Sequence, residues 1–329
     1  MTLSFRPFFL ISAFVLVLAS PIAARESGPA SPGDLLRITA AANVTLRALP
    51  ATGADAVAQL PLGTEVVNAG PSGLDKTWIR VKTSDAREGW VLASLTKPLD
   101  PVWRWPVFDG IIADRLGRKG DGFPAFVELI AFIERVAPEY SDPDGRARLE
   151  LSRVRALSSA LAAIPRGAGR RDPYVSWLTA RKADVIHDGP SGRWMLNGPM
   201  IWERHARLAG ATTSVADDLA WIAVTNGLSG ECEGQLACYV DAHNRLQGEY
   251  LRRHPAGKHA AEAVDEIKST ADLLAAPPAK GAAYVFDRKT DCRALTTSVD
   301  ALVAAVQGTR AANRDATVAT LGAIKKACQ

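Results

Sequence analysis

Residues 35–97 read LLRITAAANVTLRALPATGADAVAQLPLGTEVVNAGPSGLDKTWIRVKTSDAREGWVLASLTK. Apolar and polar side chains alternate through six short runs: LLRITA, NVTLRAL, AVAQLPL, TEVVNAG, TWIRVKT and GWVLASL. Turn formers separate them: Asn43, Pro50 with Gly53, Pro61 with Gly63, the Gly70-Pro71-Ser72-Gly73 run, and Asp85 before Gly89. A period of two marks strands with one buried face, and many short strands at this spacing predict a small all-β barrel. Gly63 lets the chain turn between two strands, and Gly89 opens the strand that carries Trp90. Leu46, Val66, Val81 and Val91 are expected to fill the interior, with Trp90 as a further core residue.

The order Val44-x-Leu46-Arg47-x-x-Pro50, Val57-x-x-Leu60-x-x-Gly63-Thr64-x-Val66, Trp78-x-x-Val81 and Gly89-Trp90-Val91 with Leu95 resembles the bacterial SH3-like domain. The resemblance covers about 60 of the 329 residues. It implies a non-catalytic module that binds peptides or cell-wall components, with aromatic side chains near Trp78 lining a shallow groove. Residues 35–97 contain no Tyr, so this copy carries few aromatics for such a groove.

On the N-terminal side, Arg6 precedes an apolar run from Phe8 to Leu18, followed by Ala19, Ser20, Pro21, Ala23 and Ala24. This is the layout of a secretory signal peptide over residues 1–24. Eleven apolar residues span about 16 Å of helix, short of a hydrocarbon core of about 30 Å. Residues 25–34, RESGPASPGD, read as a flexible lead-in. No later run has the length of a membrane span, so the mature chain is expected to be periplasmic or secreted, with no stable span.

On the C-terminal side, residues 98–121 place Trp103 and Trp105 among Pro98, Pro101 and Pro106, and read as a Trp/Pro linker. Both tryptophans are candidate ligand contacts beside Trp78. From 122 to 329 the period becomes helical. Phe126, Leu129, Ile130, Ile133 and Val136 fall on one face. Asp142-Pro143 opens the next helix, which carries Leu149, Leu151, Val154, Leu157, Leu161 and Ile164. Arg166, Arg170 and Arg171 fall in a loop, either solvated or gripping an anion. Residues 173–213 gather Trp177, Trp194, Met195, Met200 and Trp202 among Gly-Pro turns, reading as a long connection over the helical core or as a pocket wall. Ser214 with Asp217 forms a capping box. Gln235–His254 and Lys258–Ala275 read as a helical pair broken at Pro255-Ala256-Gly257. The stretch EYLRRHPAGKHAAEAV resembles the hinge of a tetratricopeptide-type hairpin, although no repeat of about 34 residues recurs. The fold class expected is therefore multidomain: a small all-β SH3-like barrel followed by an α-helical domain of stacked hairpins.

The cysteines are Cys232, Cys238, Cys292 and Cys328. Leu295, Val299, Leu302 and Val306 before the break GTRAAN, and Val318, Leu321 and Ile324 after it, mark two antiparallel helices. Cys292 and Cys328 lie about equally far from that turn and should meet at its open end. A bridge there closes roughly 37 residues, worth about 3.8 kcal/mol in the chain-entropy model; Cys232–Cys238 would be worth about 2.2 kcal/mol. No CxxC or zinc-ligand spacing occurs, so structural disulfides are expected.

Charge and motifs narrow the function. The 39 Lys and Arg against 35 Asp and Glu give +4, with no basic block, so no nucleic-acid binding is expected. No phosphate loop, dinucleotide fingerprint, HExxH or GxSxG elbow is present, and neither a cofactor nor a metal is expected. Among Asp241, His243, His254 and His259, two histidines would share a helix face but sit about 16 Å apart, too far for one ion. The expected function is non-enzymatic: an exported envelope protein whose SH3-like module binds a peptide or cell-wall component. Its helical domain would serve as a scaffold or a surface for another envelope protein. The alternatives are a cell-wall hydrolase using His187, Glu203 and His205, and a purely structural role.

Overall fold

The computed structural model describes residues 36–70, 76–189, 192–207, 213–227, 232, 234–276, 288–326 and 328. The expected leader and lead-in lie outside the described residues. The N-terminal strands are β1 (Leu36–Thr39), β2 (Val44–Arg47), β3 (Ala56–Leu60), β4 (Glu65–Asn68), β5 (Trp78–Thr83), β6 (Glu88–Leu92) and β7 (Thr96–Pro98). They form one antiparallel sheet in the order β3-β2-β6-β5-β4-β1-β7. The alternation in the sequence sets its inner face: Val44, Leu46, Leu60, Val66, Ile79, Val81 and Val91 pack together. Gly89 is required where β6 crosses β2, because a Cβ there would lie 2.6 Å from the Arg47 carbonyl oxygen.

The two sheet tryptophans exchange their expected places. Trp90 is half-buried and faces out beside Arg80. Trp78 is 7% exposed. Strand alternation accounts for Trp90, whose neighbours Gly89 and Val91 take the inward positions.

The helices are α1 (Trp105–Gly117), α2 (Phe123–Val136), α3 (Pro143–Ala162), α4 (Tyr174–Ala180), α5 (Gly198–Arg207), α6 (Thr213–Thr225), α7 (Leu236–Arg245), α8 (Gln247–Arg253), α9 (Ala260–Ala275), α10 (Arg288–Gln307) and α11 (Arg314–Lys326). A hairpin, β8 (Val185–Asp188) with β9 (Arg193–Leu196), lies between α4 and α5. Helix α1 corrects the linker reading of 98–121. Pro106 occupies its first turn, where the missing N–H has no intrahelical partner to lose. Asp142 does cap α3, accepting from the Gly145 N–H. Ser214 does not cap α6, which already includes Thr213, and Asp217 is drawn to tertiary donors instead. The expected helix 235–254 is two helices, broken at Leu246, where α10 packs against both pieces.

Two helical cores result. Helices α1 to α4, the β8–β9 hairpin and α5 bury Phe108, Leu129, Ile130, Phe132, Leu157, Leu196 and Ile201 around the first. Helices α7 to α11 bury Tyr250, Leu251, Val264, Leu295, Leu302 and Leu321 around the second. Helix α6 serves both, giving Leu219 and Ala223 to one and Ala220, Trp221 and Val224 to the other. The sheet joins the first core through Ile38, Leu62 and Leu99. At that contact Gly63 has φ +74° and lies against the Phe132 ring, while Arg135 donates to the Leu62 carbonyl at 2.7 Å. An ion network braces the first half: Asp184 receives Arg153 at 2.7 Å and Arg204 at 2.8 Å, and Glu134 receives Arg181 at 2.8 Å.

Cys292 is bridged to Cys328, and Cys232 to Cys238. Among the described residues no helix is long and apolar enough to cross a membrane. Both facts are compatible with an extracytoplasmic protein.

Candidate functional site

A cleft of about 960 Å³ lies in the first helical half. It is built at the end of α3, where Pro165 stops the helix and Gly167, at φ +74°, turns the chain back. The loop that follows presents Arg166 and Arg170. The β8–β9 hairpin forms the opposite wall. Val185 and Leu196, facing each other at its base, are buried; His187 and Trp194, the next pair on the same face, line the cleft, joined near the tip by the Asp188 and Arg193 pair. The hairpin is fixed at its base by the Asn197 N–H donating to the Asp184 carbonyl at 2.9 Å. Thr225 and Asn226, at the end of α6, close the third side.

The His187 and Trp194 rings meet edge to face at 5.1 Å. The loop approaches Trp194 so closely that a Cβ at Gly169 would lie 2.5 Å from its indole nitrogen. The charge is lopsided: Arg166, Arg170 and Arg193 face one carboxylate, Asp188. None of these three guanidinium groups forms an ion pair among the described residues. Converging arginines beside an indole can hold a planar anion in forked hydrogen bonds while an apolar part of the ligand packs on the ring.

The residues singled out from the sequence scatter differently. Trp103 is 60% exposed, and its ring lies 6.1 Å from that of half-buried Trp105, which leans on Tyr140 at 6.3 Å. No ring contact joins this pair to Trp78 among the described residues. Trp78, at 7% exposure, offers a ligand little surface. Of the proposed hydrolase trio, His187 is in the cleft, Glu203 is exposed on α5, and His205 is buried against His254. They do not converge. The four candidate metal ligands have separate partners: Asp241 pairs with Arg245, His243 bonds Gln247 and Thr270, His254 meets His205, and His259 bonds Glu262. No cluster of three metal-ligating side chains occurs among the described residues.

The sequence singles out the loop arginines, and Trp194 as part of a pocket wall or of a connection over the core, but it does not single out Arg193. The signal was the alternation in RWML after a Gly-Pro turn, which marks a strand. Comparison with protein families, with characterised proteins and with solved structures found no match.

Proposed function

We propose that this chain is an exported, non-catalytic binding protein of the cell envelope that holds a carboxylate-bearing cell-wall fragment in the α3–hairpin cleft. The carrying observation is the set of three arginines, without carboxylate partners among the described residues, around a cleft walled by Trp194. In this reading residues 36–98 are an SH3-like barrel that braces the helices, and ligand contact falls to the cleft because Trp78 is buried. The apparent leader and the two disulfides support export.

Calorimetric titration with soluble muropeptide fragments, and with neutral chitin oligosaccharides as the contrast, tests the reading. Each charge-assisted hydrogen bond is worth about 1.5–3 kcal/mol, so Arg170→Ala or Arg193→Ala should weaken binding by roughly 10- to 100-fold. Added salt should weaken it further, since these guanidinium groups are solvent-facing. Equal affinity for the neutral oligosaccharide, or no change in the double variant, refutes it.

A further inference from the structure

The two helical halves meet through a pair of histidines. His205, near the end of α5, is 9% exposed, and its Nε2 lies 2.8 Å from Nε2 of His254, just beyond α8. The rings stand at 85°, with centroids 5.0 Å apart. The surroundings are closely filled. Trp202 abuts His205 at 5.7 Å, and Tyr250 lies 5.5 Å from His254. The Tyr250 hydroxyl donates to Asp217 of α6, which also accepts from the Lys258 N–H at 2.8 Å. The other nitrogen of His205, Nδ1, is buried and has no hydrogen-bond partner among the described residues.

A short Nε2–Nε2 contact holds only one proton. One imidazole must carry it and the other must present a lone pair, so the contact cannot persist once both rings are protonated, and burial favours the form with two neutral rings. A first added proton leaves a buried cation, which on His205 also carries a donor with nothing to receive it. A second puts N–H against N–H. We propose that the His205–His254 pair is a proton-operated latch between the two helical halves, closed when both rings are neutral and released as the surroundings acidify.

The charged and titratable groups facing the pair are few. Arg253 and Glu249 of α8 act on His205, and Arg253 and Asp217 of α6 act on His254. Both carboxylates are already engaged, Glu249 by Arg252 and Arg253, Asp217 by Tyr250 and Lys258. Burial lowers His205 to about 4, helped by His254 and Arg253, and burial likewise lowers His254. A base whose folded value lies below its unfolded value loses stability as pH falls from the unfolded value, about 6.5, towards the folded one. The latch therefore weakens between those limits. Helix α5 continues from β9 through Asn197, so the helix that carries His205 is joined to the strand bearing Arg193 and Trp194.

The test uses the full chain without ligand. Urea unfolding at pH 7 and pH 5 reads the latch in the wild type and in His205→Gln. The two protonation values imply a roughly 20-fold rise in the unfolding constant over that interval from His205 alone. The variant should lose that share of the pH response. NMR titration of the imidazole protons in the wild type gives a reading that does not depend on the variant folding. A strongly lowered His205 midpoint is the expected result. A His205 midpoint near 6.5, or an unchanged pH response in the variant, overturns the proposal.

Discussion

Gly63→Ala probes whether the sheet and the first helical core unfold together. Gly63 sits at φ +74°, where an alanine costs about 1 kcal/mol or more. Its Cβ would fall on the Phe132 ring and the Arg135 guanidinium, and overpacking of this kind costs about 1–3 kcal/mol. Moving Arg135 also endangers its bond to the Leu62 carbonyl, a charge-assisted contact at a half-buried site worth about 1 kcal/mol. The combined destabilisation should be about 4 kcal/mol, or roughly 8–16 °C in Tm for a unit of this size. Gly53→Ala is the control: its φ is not positive and nothing lies within 4 Å of an added Cβ, so it should change stability by less than about 0.5 kcal/mol. Hydrogen exchange read by mass spectrometry is the assay. Protection should fall in parallel in β1–β6 and in α1–α3, because Ile38, Leu62 and Leu99 belong to the helical core. A loss confined to the strands, or below about 1 kcal/mol, would refute this account of the junction.

Asp184→Asn removes the carboxylate shared by Arg153 and Arg204 while their side chains stay largely covered. Breaking a buried pair on one side should cost about 3 kcal/mol, measured as a lower urea midpoint at unchanged slope. Replacing Cys292 and Cys328 together by serine should destabilise the oxidised protein by about 3.8 kcal/mol on the chain-entropy estimate. Under reducing conditions, where the Cys232–Cys238 bridge is lost from both, the variant should match the wild type, and a persistent gap between them would point to lost packing around Cys292 and Cys328.

The parts that were legible from sequence are those encoded by neighbours along the chain. Leu46, Val66, Val81 and Val91 announced the inner face of the sheet by alternation, and all four are there. Phe126, Leu129, Ile130, Ile133 and Val136 did the same for α2. The Cys292–Cys328 pairing follows from two cysteines about equally far from the turn between two helices. Helix α1 is hidden in the sequence because a proline reads as a helix breaker in mid-run and as a helix opener in the first turn, and Pro106 is the second. The break at Leu246 has no glycine or proline of its own; it is imposed where α10 meets both α7 and α8, and Gly248 lets Leu302 approach. The cleft and the histidine contact were hidden for another reason. Arg170 and Arg193 come from separate elements, and His205 and His254 are 49 residues apart, so no local pattern joins them.

Helix α6 is clothed on opposite flanks, with Leu219 and Ala223 turned to one side and Ala220, Trp221 and Val224 to the other. A helix covered on two flanks has little apolar surface left to turn to water. Severing the protein on either side of this helix would strip one fragment of its wall and leave the other with a bare greasy flank. The two helical halves therefore share one wall, and a cut on either side of it should leave neither fragment with its full core.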